Sequence, residues 1–216
     1  MIQSNVRVVC ALLLVLVLSS APGAWAGAPT DEFRDGVDRV FKILRDPEMK
    51  GRANATRRWA AIAKVSEEIF DFDETAKRSL GQHWEKRTPA ERTAFSRLFT
   101  ELIQRSYIAK VDQHGSAARV TFLGETVDED YAVVRTTIPL SNGSIMPLDY
   151  RMHGAGGRWQ VYDLSMDGIS LLANYRAQFN KIIRTSSFEE LVVRLKANKA
   201  DFSPPSASPA TGKAGR

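Results

Sequence analysis

The side chains best suited to metal or proton chemistry are the three histidines, His83, His114 and His153. They fall in separate predicted elements, so no two of them share a helix face at the spacing of a metal-binding pair. The sequence contains no Gly-x-Ser-x-Gly nucleophile elbow and no phosphate-binding P-loop, and the glycines within 154–157 are typical of a hairpin turn. These patterns predict no catalytic residue, no metal site and no cofactor.

Two aspartates near the end of a predicted strand, Asp163 and Asp167, leave one enzymatic alternative open. A sheet covered by a helix can host a small isomerase that uses a buried aspartate as general base, and Tyr150 or Tyr162 could then donate a proton. Structural roles suit both aspartates better, because Asp167 precedes a predicted helix as an N-cap does and Asp163 can tether the strand end. We therefore predict that the chain is not an enzyme.

Two predicted amphipathic helices carry aromatic side chains along one face. Thr88-Pro89-Ala90-Glu91 combines an N-cap, a proline at the first helical position and a capping box, and so predicts the start of the longer helix. Spacings of three and four place on one face of that helix Phe95, Leu98, Phe99, Leu102, Ile103 and Tyr107. Within residues 163–183 the same spacings group Ile169, Leu172, Tyr175, Phe179, Ile182 and Ile183.

The apolar periodicity changes from helical to alternating near residue 118. Alternation at Val120 and Phe122 and in the segment 146–152, together with the β-branched residues of 131–140, predicts three strands. With a fourth at 158–164 and turns at 141–144 and 154–157, they form an antiparallel meander. Helices are expected before the sheet, and another after it, where Ser187 and Glu190 form a second capping box. The sequence predicts an α+β fold, with a helical first half and C-terminal helices packed on a twisted, roughly four-stranded antiparallel sheet.

The first 26 residues of the 216 have the features of a secretory signal. Arg7 precedes an apolar run, and Ala24-Trp25-Ala26 offers a cleavage site of small residues, so we expect export and cleavage near Ala26. The run is shorter than the roughly 20 residues of a membrane-spanning helix. We expect one domain at residues 27–199 and a disordered tail at 200–216, where proline, serine, alanine and glycine dominate.

Charge and cysteine content narrow the possible partners. Cys10, the only cysteine, lies in the signal, so the exported domain is expected to fold without a disulfide. Loss of Arg7 with the signal lowers the formal net charge from +5 to +4. This modest basic excess favours encounter with anionic surfaces such as phospholipid headgroups, whereas the lack of a concentrated basic stripe argues against nucleic acid.

Several apolar and turn residues, read in order over residues 31–196, carry a family likeness. They are Phe70-Asp71-Phe72, Leu80-Gly81, Trp84, Phe95, Phe99, Leu102, Tyr107, Asp167-Gly168-Ile169-Ser170-Leu171, Asn174-Tyr175-Arg176 and Gln178-Phe179. In order and spacing they resemble the MlaC family of periplasmic phospholipid-shuttle proteins, also called the toluene-tolerance auxiliary family. The resemblance implies a soluble periplasmic protein that carries glycerophospholipid between the outer and inner membranes and maintains outer-membrane lipid asymmetry.

The resemblance also implies partners and a ligand site. The partners would be an inner-membrane ABC transporter complex with its membrane-anchored substrate-binding subunit, and an outer-membrane lipoprotein with a porin. We expect helices and sheet to enclose an apolar cavity lined by Phe95, Phe99, Leu102, Ile103, Tyr107, Val120, Phe122, Val134, Leu148, Tyr150, Met152, Tyr175, Phe179 and Ile183, with Arg151 and Arg176 as candidates for the headgroup. A small periplasmic isomerase and a chaperone-like module that binds apolar protein segments remain as alternatives.

Overall fold

The computed structural model describes residues 28–114, 119–140, 142–197 and 202. The predicted signal, turn residue 141 and the predicted tail apart from Phe202 lie outside this described part. Four helices come first: α1 (Pro29–Arg45), α2 (Ala55–Ile69), α3 (Phe72–Leu80) and α4 (Pro89–His114). The strands are β1 (Thr121–Asp128), β2 (Tyr131–Pro139), β3 (Ile145–Ala155), β4 (Arg158–Met166) and β5 (Ile169–Ser170), and the helices α5 (Leu171–Thr185) and α6 (Phe188–Lys196) follow.

The two helix starts predicted from capping boxes, at Thr88 and at Ser187, are present in the structure, whereas α1 starts at Pro29 without a side-chain cap. At the start of α4 the Thr88 backbone N–H donates to Glu91 Oε2 (2.7 Å), and the Glu91 N–H donates to Thr88 Oγ1 (3.3 Å). Asp71 accepts from a backbone N–H in the first turn of α3 (2.8 Å), and α3 ends at Gly81, whose φ of +51° suits glycine. Ser187 caps α6 in the same way. Local side-chain chemistry therefore sets these boundaries.

The start of α5 differs from the prediction. The turn residue Asp167 has a φ of +51° and does not cap the helix. Instead Ser170 is the N-cap, and its hydroxyl accepts from the Ala173 N–H at 3.0 Å. Ile169, expected on the apolar face of this helix, lies in β5 and is 43% exposed. The backbone pairs with β4 for two residues before the helix begins, which removes Ile169 from the apolar stripe.

The sheet is an antiparallel meander with the strand order β1-β2-β3-β4-β5. The first four strands are those expected from the alternating pattern, and β5 adds two residues at the β4 edge. Register shifts interrupt the ladder between Phe122 and Gly124 and between Arg151 and Met152. The α+β fold class is confirmed.

Three groups of buried apolar residues hold the layers together. The helix cluster joins α3, α4, α5 and α6, and it includes Leu80, Phe95, Phe99, Tyr175, Phe179, Phe188, Leu191 and Phe202. The sheet cluster packs α1 and α2 on the strands and contains Phe33, Val65, Ile69, Ala132, Val134, Met152, Trp159 and Val161. A third group, Leu44, Ile62, Ala63 and Ile108, lies between α1, α2 and α4.

Candidate functional site

Four aromatic side chains form the centre of the helix cluster. Phe95 and Phe99 on α4 and Tyr175 and Phe179 on α5 are each at most 1% exposed. The Phe99 ring centroid lies 5.2 Å from those of both Tyr175 and Phe179, and both contacts are edge-to-face. Phe95 meets Phe179 at 5.6 Å. Such pairs stabilise a core beyond their simple burial, and here the rings contact one another between the two helices.

The remaining helical residues predicted to line the site surround this centre. Leu102 and Ile103 are buried in the helix cluster, and Tyr107 and Ile183 pack against it while partly exposed. Burial raises the pKa of Tyr107 and that of Tyr175 above the usual tyrosine value. Both phenols are therefore neutral at physiological pH, and they add no charge to this apolar interior.

The predicted sheet residues lie mainly in the other cluster. Val134 and Met152 are buried there, and Phe122 and Tyr150 pack against it. The Phe33 ring of α1 lies 4.2 Å from that of Tyr150.

Burial raises the pKa of Tyr150 to about 12, so this side chain is also neutral. Leu148 is buried on β3, and Val120 is half-buried just before β1. The structure thus brings the predicted residues together in two groups, one between helices and one between α1 and the sheet. The enclosed cavity between them stays a prediction.

The two aspartates considered as general bases have structural surroundings. Asp163 is buried, and its carboxylate accepts from the Leu172 backbone N–H (3.0 Å) and from the Ser170 hydroxyl (2.7 Å). It therefore fixes the first turn of α5 against β4. Arg151 approaches Asp163 at 3.8 Å and is half exposed. This confirms the predicted tether at the strand end, whereas Asp167 lies in the turn described above.

Arg176 lines a surface cavity of about 440 Å³ between the end of α3 and α5. Its Nε donates to the Arg78 carbonyl oxygen at 2.8 Å, which satisfies one of the last carbonyls of α3. His83 and Asn180 share the cavity, and His83 Nε2 contacts Asn180 Oδ1 at 2.9 Å. Among the ion pairs of the described residues, Arg176 has no carboxylate partner.

A larger groove of about 860 Å³ runs between α2, α3 and α4. Its aromatic wall consists of Phe70, Phe72 and Trp84, and the Phe70 and Phe72 rings stack at 5.7 Å. Arg92 and Gln104 belong to its polar side. Sequence reasoning used the three aromatics for the family likeness but did not assign them to a surface. Their close spacing around α3 was the available signal.

Phe202 is another residue whose place in the structure was not predicted from the sequence. It is 5% exposed in the helix cluster, and its ring meets that of Phe179 edge-to-face at 5.6 Å. The only signal was a lone aromatic within a proline- and serine-rich segment. As for metals, the described residues include no group of three or more histidine, cysteine or acidic side chains placed to hold an ion.

The fold and these side chains define a class of protein: an α+β domain with an antiparallel sheet and three groups of buried apolar residues. None of its described helices has the length and apolar character required to cross a bilayer. The particular family follows from comparison. The family model described as MlaC protein matches residues 34–197, so the chain belongs to the MlaC family, and the likeness found in the sequence is confirmed.

Two curated relatives agree with this assignment. The chain is 20% identical over 169 residues to the toluene tolerance protein ttg2D of Pseudomonas putida, covering 78% of this chain and 79% of the relative. It is 20% identical over 167 residues to the intermembrane phospholipid transport system binding protein MlaC of Haemophilus influenzae, covering 76% of this chain and 78% of the relative.

A solved structure shares the fold. The phospholipid-binding protein from Ralstonia solanacearum, determined in complex with a phospholipid, superposes with a TM-score of 0.68 at 24% identity. The match covers 80% of this chain and 97% of the other. The described α+β architecture is therefore one that a phospholipid-binding protein also adopts.

Proposed function

We propose that this protein binds a glycerophospholipid and carries it through the periplasm between the outer and inner membranes, in support of outer-membrane lipid asymmetry. The supporting observation is membership of the MlaC family over residues 34–197. The Haemophilus influenzae relative is named as the binding protein of an intermembrane phospholipid transport system, and the Ralstonia solanacearum protein of similar fold holds a phospholipid. In this proposal the protein is a carrier and catalyses no reaction.

The acyl chains are proposed to lie along the aromatic faces of α4 and α5, with the predicted sheet residues completing the site. Because the rings of Phe99, Tyr175 and Phe179 touch one another, an acyl chain enters only when these helices move apart. Moving a phenylalanine from an apolar interior into water costs about 1.5–3 kcal/mol. An entering acyl chain keeps the rings out of water, so it replaces one set of apolar contacts by another at little net cost.

Burial of the acyl chains also determines whether the protein releases lipid to a membrane or to water. Burial contributes about 0.8 kcal/mol per methylene, so two chains with roughly 30 methylenes gain about 24 kcal/mol relative to water. Acyl chains in a bilayer are also buried away from water and gain a similar free energy. Exchange with a membrane is therefore nearly neutral in free energy, whereas escape into water is strongly unfavourable.

Of the two arginines proposed for the headgroup, Arg176 has the more suitable surroundings. Arg151 already faces the buried carboxylate of Asp163 at 3.8 Å. Arg176 uses its Nε on a backbone carbonyl and lines a cavity with His83 and Asn180. A guanidinium is well suited to a phosphate diester because its planar N–H groups can contact two oxygens.

The finer parts of the proposal concern location and partners. We propose export with cleavage near Ala26 and a lipid-binding domain at 27–199. We also propose that the protein docks to an inner-membrane ABC transporter and to an outer-membrane lipoprotein with a porin. Family membership supports these proposals. The signal prediction can be checked directly. Mass spectrometry of the protein purified from the periplasm should give a chain that begins at Gly27.

Lipid analysis of gently purified protein tests the central proposal. We expect organic extraction followed by mass spectrometry to release close to one glycerophospholipid per protein, whereas a cytosolic protein of similar size purified in parallel should release only trace lipid. A chaperone-like module would release peptides instead, and a small isomerase would release neither. Either result would replace the carrier proposal.

A further inference from the structure

Phe202 differs from the other buried members of the helix cluster in how the chain holds it. The others belong to α3, α4, α5 or α6, whereas Phe202 lies six residues beyond the last residue of α6, Lys196. Its ring is nevertheless 5% exposed and packs edge-to-face on Phe179 at 5.6 Å. Phe179 in turn contacts Phe95, Phe99 and Tyr175, so Phe202 reaches the centre of the cluster.

We propose that Phe202 occupies the position on α5 that an acyl chain takes when lipid is bound, so that this side chain and the acyl chain compete for Phe179. The proposal rests on the proposed function. A chain entering between α4 and α5 must displace some neighbour of Phe179. Removing Phe95, Phe99 or Tyr175 from that position requires a helix to move with it. Phe202 can leave without moving a helix, because it is not part of one.

The short length of chain between α6 and Phe202 favours this competition. From Ala197 to Phe202 the chain can span at most about 18 Å. The ring therefore always lies within that distance of the end of α6, and it competes for Phe179 as part of the same molecule. When an acyl chain leaves, Phe202 can cover the exposed face of Phe179, and the apolar surface of the unloaded protein is reduced. A bound acyl chain and a docked Phe202 make similar apolar contacts with Phe179, so the loaded and unloaded states are close in free energy.

This competition has a predicted direction. Phe202 stabilises the unloaded protein and not the loaded one, so its removal should favour the loaded state. Burial of a phenylalanine side chain changes an equilibrium by about tenfold or more. Phe202→Ala should therefore hold lipid about tenfold more tightly and release it more slowly. Phe202→Leu keeps much of the apolar volume, so its lipid affinity and release rate should be close to those of the natural chain.

The test measures lipid transfer from the purified protein. The natural chain, Phe202→Ala, Phe202→Leu and the control Val193→Ala are loaded with fluorescent phosphatidylglycerol and mixed with vesicles of phosphatidylethanolamine and phosphatidylglycerol. Val193 is 55% exposed on α6, so its truncation changes a nearby side chain without entering the cluster. We expect Phe202→Ala alone to raise the equilibrium ratio of retained to transferred lipid by about tenfold.

The outcomes separate this inference from the function on which it rests. If the natural chain takes up no lipid, the carrier proposal fails and the competition fails with it. If the natural chain takes up lipid and Phe202→Ala behaves identically, only the competition is refuted. Faster release from Phe202→Ala would also refute it, because that result makes Phe202 a cover over the bound chain. Thermal unfolding of the lipid-depleted and the lipid-loaded proteins adds a second readout, since Phe202→Ala should lower the melting temperature more without lipid than with it.

Discussion

Replacing Phe99 by alanine tests whether acyl chains enter the helix cluster. Phe99 is 1% exposed and meets the rings of Phe95, Tyr175 and Phe179. Truncating such a side chain costs about 3–5 kcal/mol of unfolding free energy through lost burial and the void left behind. For a domain of this size each kcal/mol lowers the melting temperature by about 2–4 °C, so a decrease of roughly 6–20 °C is expected without lipid.

Bound lipid should reverse much of that loss if the acyl chain lies where we propose. About four methylenes filling the void would recover about 3 kcal/mol at 0.8 kcal/mol each. The cost of Phe99→Ala should therefore fall to about 1 kcal/mol in the loaded protein, a coupling of about 3 kcal/mol between substitution and ligand. Urea unfolding of lipid-depleted and lipid-loaded protein measures both values.

Ile62→Ala is the matched control for this experiment. Ile62 is 3% exposed in the separate group between α1, α2 and α4, and its truncation costs a similar free energy of about 2–5 kcal/mol. No acyl chain is proposed there, so its cost should be the same with and without lipid. If lipid reduces the cost of both substitutions equally, or of neither, then acyl chains do not occupy the space beside Phe99 and the proposed placement is wrong.

Three further predictions concern the scaffold that positions the site. Asp163→Ala should cost about 1–3 kcal/mol in urea unfolding, because it leaves a buried amide and hydroxyl at the start of α5 without their acceptor. Gly36→Ala should destabilise by about 1–3 kcal/mol despite alanine's helix propensity, because its Cβ would lie 2.6 Å from Ile69 Cγ1, and thermal unfolding measures the loss. Hydrogen bonds from Thr88 lower the pKa of Glu91, so the stabilisation from this ionised carboxylate is present above its unfolded-state pKa and lost as pH falls through the folded-state value. Stability measured between neutral and acidic pH should therefore fall less steeply in Thr88→Ala than in the natural chain.

The helix boundaries could be predicted where a side chain caps its own helix. The reciprocal bonds of Thr88 and Glu91, and the bond from the Glu190 N–H to Ser187, join residues three positions apart, so the sequence alone contains the whole interaction. The start of α5 could not be predicted in this way. There the buried carboxylate of Asp163 accepts from the Leu172 N–H nine positions away, which depends on how strand and helix pack.

For the candidate site, the sequence predicted the apolar faces of the helices but not what those faces contact. The aromatic stripes on α4 and α5 were predicted, and the structure places both in one cluster. Periodicity could not reveal what each stripe contacts, because a helix facing a neighbour and a helix facing a ligand have the same apolar spacing. The sheet residues Val134 and Met152 pack with Phe33 of α1, a pairing across about a hundred positions that no local pattern encodes.

The separation of the helix cluster from the sheet cluster suggests how a carrier opens without unfolding. The strand ladders and the packing of α1 on the sheet belong to the sheet cluster, whereas contacts among side chains of α3 to α6 hold the helix cluster. Separating α4 from α5 therefore breaks apolar ring contacts and leaves the hydrogen-bonded sheet intact. Local openings of this kind require less free energy than global unfolding. A ligand that replaces ring contacts with acyl contacts lowers the requirement further, so the proposed exchange with a membrane needs only the helical half of the domain to move.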